Sequence, residues 1–101
     1  MARLITVYWR DIPAQVIAKA GRNSAKVQLP ERFQVAIDRA AMRAGRGSSE
    51  HYLEDWRRES ADCDGDIEAA AQAAAERLDA AYPEPLLARL VKAGGRRDSD
   101  I

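Results

Sequence analysis

The chain has one cysteine and one histidine among its 101 residues. A lone cysteine excludes an internal disulfide and a cysteine-based metal cluster, and one histidine beside it leaves too few ligands for a zinc site. No apolar run approaches the ~20 residues that span a bilayer, so no membrane partner is expected. The opening stretch, residues 1–10, lacks the apolar centre and small-residue cleavage site of a secretory signal, which makes the cytoplasm the expected location. At 11.2 kDa there is no room for separate cofactor and substrate lobes. One domain is expected over residues 1–95, with 96–101 as a disordered tail.

Net charge is also absent, with 16 basic against 16 acidic residues, but the balance is uneven along the chain. Residues 1–58 carry eleven Lys/Arg against six Asp/Glu, and residues 59–101 carry five against ten. A basic half beside an acidic half points to an anionic partner or to one half covering the other.

Strand and helix periods divide the chain. From Leu4 to Arg10 the residues alternate, with Ile5, Val7 and Trp9 facing one way and Leu4, Thr6, Tyr8 and Arg10 the other. That is a strand pattern, ended by Asp11-Ile12-Pro13 because proline has no N–H for a ladder. Val16–Lys19 reads as a second strand. After the turn residues Gly21-Arg22-Asn23-Ser24, Ala25, Val27 and Leu29 alternate with Ser24, Lys26 and Gln28 as a third. Pro30 then opens a helix whose stripe is Phe33, Ile37, Ala40, Ala41 and Ala44, stopped by Gly45. Ser48 or Ser49 caps a second helix that buries Tyr52, Leu53 and Trp56. Asp64 is the expected cap of a third, carrying Ile67, Ala70, Ala71, Ala74, Leu78 and Ala81. Pro83 and Pro85 separate it from a fourth with Leu86, Leu87, Leu90 and Val91, ended by Gly94-Gly95. The expected fold is α+β: a three-stranded antiparallel sheet over residues 3–29, covered by helices from residues 30–58, with an alanine-rich helical part at 62–93.

No residue set matches a catalytic or metal-binding pattern. Asp62-Cys63-Asp64-Gly65-Asp66 resembles half a calcium loop, but its glycine stands fourth instead of sixth and the twelfth position is Ala73. A helix cap explains it better. Cys63 lies among aspartates that oppose a thiolate, so it reads as inert. His51 has no local nucleophile signature. The expected protein is therefore not an enzyme and needs no cofactor or metal. Trp9-Arg10-Asp11 and Trp56-Arg57-Arg58 combine residue types enriched at binding hot spots. If the two clusters converge, they make one partner-binding interface rimmed by arginine.

Two resemblances bear on function. The order of residues 25–59, with Lys26-Val27-Gln28-Leu29-Pro30-Glu31-Arg32, Ile37-Asp38-Arg39-Ala40-Ala41 and Gly45-Arg46-Gly47-Ser48-Ser49-Glu50, resembles the ribbon-helix-helix DNA-binding proteins. That resemblance implies a homodimeric transcriptional regulator in which Lys26 and Gln28 read bases and Ser48 and Ser49 hold phosphate. Over residues 3–60, the string Leu4-Ile5-Thr6-Val7-Tyr8-Trp9-Arg10-Asp11-Ile12-Pro13-Ala14-Gln15-Val16, then Lys26–Leu29, Phe33–Met42 and Tyr52–Arg58, is similar to the small bacterial proteins of the "virulence factor" family, a domain also found in conserved virulence factor C. This second resemblance brings a phenotype label and no catalytic residues. It implies an accessory or interaction protein with a protein partner, associated with corrinoid- and folate-dependent methyl-transfer proteins.

Overall fold

A computed structural model describes residues 2–45, 49–63 and 65–96, with backbone alone for 49–51. The elements run β1 (Ala2–Trp9), β2 (Ile12–Ala20), β3 (Asn23–Gln28), α1 (Glu31–Arg43), α2 (Ser49–Glu54), β4 (Trp56–Cys63), α3 (Ile67–Ala81) and α4 (Glu84–Lys92). The fold is α+β as the strand-then-helix order implies, but the sheet has four antiparallel strands in the order β3-β2-β1-β4. The expectation of three is corrected by β4, which pairs with β1 from Ala2↔Cys63 to Trp9↔Trp56. Its sequence hides it. An edge strand exposed on both faces needs no apolar alternation, and Arg57 to Asp62 are all exposed. The second helix is correspondingly short. It ends before Asp55, Leu53 is 65% exposed, and Trp56 opens the strand instead of closing the helix.

β1 and β2 form a hairpin closed by Arg10 and Asp11, so Asp11-Ile12-Pro13 does not break the sheet. The register shifts between Val7 and Tyr8: Val7 faces Gln15 and Tyr8 faces Pro13, leaving Ala14 as the bulged residue. Pro13 is tolerated because β3 reaches only as far as Gln15↔Gln28, so no ladder bond is asked of it on that side. The Ala14 carbonyl accepts from Leu29 N–H at 3.1 Å, which carries the chain from β3 into α1.

α1 and α3 pack on one face of the sheet. α3 packs across β2 and β3, α1 packs against β2, and α4 lies against α1. The cover therefore comes mainly from α1 and the C-terminal α3, where helices from 30–58 were expected to supply it. The core unites Trp9, Ile12, Val16 and Ala18 from the sheet with Phe33, Ile37, Ala40, Ala71, Ala74 and Leu90. Buried alanines let α1 lie close to α4 and α3 close to the sheet. Arg32 ties α1 to the end of α3: it donates to the Tyr82 carbonyl at 2.6 Å, pairs with Asp79 and stacks on Phe33. Asp66, not Asp64, caps α3, its carboxylate accepting from Ala69 N–H at 3.1 Å. Asp64 lies outside the described residues, as do Gly47 and the tail from residue 97. Of the predicted α3 stripe, Ala71 and Ala74 are buried and Ile67 and Leu78 pack on the core, while Ala81 is exposed.

Candidate interaction surface

The two Trp/Arg clusters do come together. Trp9 stands directly opposite Trp56, and Tyr8 opposite Arg57. Their roles separate sharply. Trp9 is 0% exposed, stacks on Tyr52 at 5.9 Å and donates its indole N–H to the Tyr52 carbonyl at 2.8 Å. It offers no surface to a partner. Arg10 is turned inward as well. Its Nη1 donates to the Gly94 carbonyl at 2.8 Å, its Nε lies 3.2 Å from Asp55 Oδ2 without hydrogen-bond alignment, and its guanidinium sits over Trp9. Trp56 is half-buried and packs edge-on to Tyr52.

Arg57, Arg58 and Asp11 form the outer part of this corner. Arg57 stacks over Tyr8 at 4.4 Å, donates to the Arg10 carbonyl at 2.7 Å and to Asp11 Oδ1 at 3.2 Å, and pairs with Glu59. Burial pulls its pKa down, but the hydrogen bonds and charges of Glu59 and then Asp11 outweigh that and hold it above the ordinary value. Val7, Gln15, Trp56, Arg57 and Arg58 line an open cleft of ≈300 Å³ beside this corner.

The cleft opens onto a wider surface that the sequence did not single out. α1 and α3 pack on one side of the sheet and the core lies on that side; among the described residues nothing of the core covers the other face. Cross-strand register arranges that face in three rows. Gln28, Gln15, Val7 and Arg58 make the first, Lys26, Ile17, Ile5 and Ser60 the second, and Ser24, Lys19, Arg3 and Asp62 the third. Ile5, Val7 and Ile17 lie at its centre. None of the three is part of the packed core cluster; Val7 is buried at 8% exposure, and Ile5 and Ile17 are half-buried. Arg3, Lys19, Lys26 and Arg58 are exposed around them, with Asp62 the only acidic group of the twelve. An apolar centre with a mostly cationic rim is the composition of a protein-binding patch.

Lys26 and Gln28, the candidate base-reading pair, stand exposed on this face. β3 is paired within the chain to β2, and α2 runs only over Ser49–Glu54, so the two-strand ribbon and long second helix of a ribbon-helix-helix are not formed within one chain. Ser48 lies outside the described residues, and Ser49 is described by backbone alone at the start of α2.

The "Virulence factor" family model matches residues 7–91. The chain belongs to the virulence factor family. The match starts at Val7, near the end of β1, and stops at Val91 in α4, so it spans β2, β3, β4, α1, α2 and α3 whole, with the end of β1 and nearly all of α4. No curated protein and no solved structure matches the chain. Among the described residues there is no group of three His, Cys, Asp or Glu side chains that could hold a metal ion, and no helix long and apolar enough to cross a membrane. Cys63 is half-buried at the end of β4.

Proposed function

We propose that this virulence factor family protein is a non-enzymatic accessory module that binds a partner protein through the bare face of its sheet. The observation that carries this reading is the position of Ile5, Val7 and Ile17. Ile5 and Ile17 are half-buried neighbours beside the buried Val7 on the face away from the core, framed by Arg3, Lys19, Lys26 and Arg58. Partly exposed aliphatics inside a cationic rim favour a binding surface. The rim calls for a partner whose contact surface is apolar at the centre and acidic at the edge. Corrinoid- and folate-dependent methyl-transfer proteins, suggested by the family resemblance, are the first to seek among the partners.

The test is quantitative affinity purification from the native host with wild type and the Ile17→Lys/Lys19→Glu variant side by side. A stoichiometric partner present with wild type and lost with the variant supports the reading. Identical recoveries from two equally folded proteins overturn it. A second reading, DNA binding, rests on Lys26 and Gln28 standing exposed beside Lys19 and Arg3 on the same face. It predicts affinity for duplex DNA that falls steeply with salt and drops about 1–3 kcal/mol in Lys26→Ala.

A further inference from the structure

We propose that two copies of the chain join through the free edge of β4 into one continuous eight-stranded antiparallel sheet. β4 ends the sheet order β3-β2-β1-β4, and among the described residues no element lies on its outer side. It is eight residues long, and Arg57 to Asp62 are exposed on both faces. An unpaired edge of this length is a template for another strand.

The register and the occupant follow from the charges. A two-fold axis perpendicular to the sheet keeps the same face upward in both copies, so paired residue numbers must sum to an even value. Two such registers give the longest overlap. One centres on Glu59 and sets that carboxylate against its own copy. The other centres on Ser60 and pairs residues 57–63 of the two chains. In it Arg58 of each copy faces Asp62 of the other, twice by symmetry, both on the bare face. Asp62 would then sit between Arg3 of its own strand neighbour and Arg58 of the second copy. Opposite charges directly across antiparallel strands stabilise a pair, and like charges destabilise it.

The other edge lacks this property. β3 (Asn23–Gln28) carries one charge, Lys26, and no acidic residue to receive it from a second copy. Charges that protect an edge from pairing repel their own copies. Those on β4 instead complement them, four residues apart and of opposite sign. One strand pair buries less than a standard interface, so the dimer is expected to form in the micromolar range. Dimerisation would also place two bare faces in a single surface, but it does not depend on what that face binds.

Sedimentation velocity of the full chain over a micromolar concentration series is expected to show a monomer–dimer equilibrium. Arg58→Asp should weaken the dimer at least tenfold, and the swap Arg58→Asp/Asp62→Arg should restore it. In a Cys63→Ser background, Ser60→Cys should form a disulfide-linked dimer on mild oxidation, because residue 60 faces its own copy. Ser24→Cys on the β3 edge should not. A chain that stays monomeric throughout overturns the proposal. So does a dimer indifferent to Arg58→Asp, or one cross-linked through Ser24→Cys and not Ser60→Cys. Circular dichroism of each variant keeps a folding defect from being read as lost pairing.

Discussion

Arg10 occupies the left-handed region, with φ of 54°, at the two-residue turn between β1 and β2. Glycine would adopt that conformation without strain, and a side chain persists there only when its contacts outweigh the cost. Arg10 supplies them: it bonds the Gly94 carbonyl, pairs with Asp55 at low exposure and covers Trp9. Arg10→Ala keeps the strain and loses the side-chain contacts to Gly94, Asp55 and Trp9. The expected cost is about 2–4 kcal/mol in denaturant unfolding. Arg10→Gly relieves the strain and should be about 1 kcal/mol milder. A gain of stability in Arg10→Gly over wild type would show that the guanidinium contacts are worth less than the backbone strain. Gly95 is the matching residue on the other side of the joint. Its N–H donates to the Leu90 carbonyl, its carbonyl accepts from Asp11 N–H at 2.8 Å, and its φ is 91°. A Cβ there would stand 2.6 Å from Trp9 Cζ3. Gly95→Ala should therefore lower the melting temperature clearly, as strain and overpacking each cost about 1–3 kcal/mol.

Elements were legible in proportion to the burial they achieve on one side. α1 and α4 each bury a single stripe, and Phe33, Ile37, Ala40 and Leu90 could be read at helical spacing. β3 half-buries one face, Ala25 and Val27, and alternates. β4 buries neither face, so Trp56-Arg57-Arg58-Glu59 looked like the continuation of a helix. The reading of β1 failed for a different reason. Strict alternation groups Ile5, Val7 and Trp9, yet Trp9 joins the core while Ile5 and Val7 stay outside it. The register shift at Val7/Tyr8 re-aims the end of the hairpin, and a bulge leaves no mark in a two-residue period. The convergence of the two Trp/Arg clusters stayed conditional in the sequence because it depends on β4 pairing with β1, and the composition of the outer face depends on the same register. The start of α3 gives an element-scale test. Both Asp64 and Asp66 precede it, and only the local geometry shows Asp66 accepting from Ala69 N–H. Asp66→Ala should cost about 1 kcal/mol of stability and Asp66→Asn much less, as measured by urea midpoints.

At the scale of the molecule, the decisive feature is that, among the described residues, the core covers the sheet on one side only. Adjacent residues of β2 then belong to different economies: Val16 is fully buried against the helices, and Ile17 looks out between Lys26 and Ile5. The same truncation at the two positions should have opposite consequences. Val16→Ala removes two buried methyl groups and leaves a cavity, which should cost about 2–3 kcal/mol in unfolding. The bare face of the remaining folded molecules is unchanged, so partner affinity should hold. Ile17→Ala removes a half-exposed side chain and should stay within about 1 kcal/mol of wild type. If the bare face is the binding surface, the same change should weaken partner capture at least tenfold, because a hot-spot contact costs more than about 1.4 kcal/mol when truncated. Thermal melting and a binding titration on the same two preparations separate the outcomes. Equal binding by Ile17→Ala and wild type would leave Ile5 and Ile17 as half-buried aliphatics with no part in binding. A stability loss in Ile17→Ala as large as in Val16→Ala would mean that the second face is covered after all.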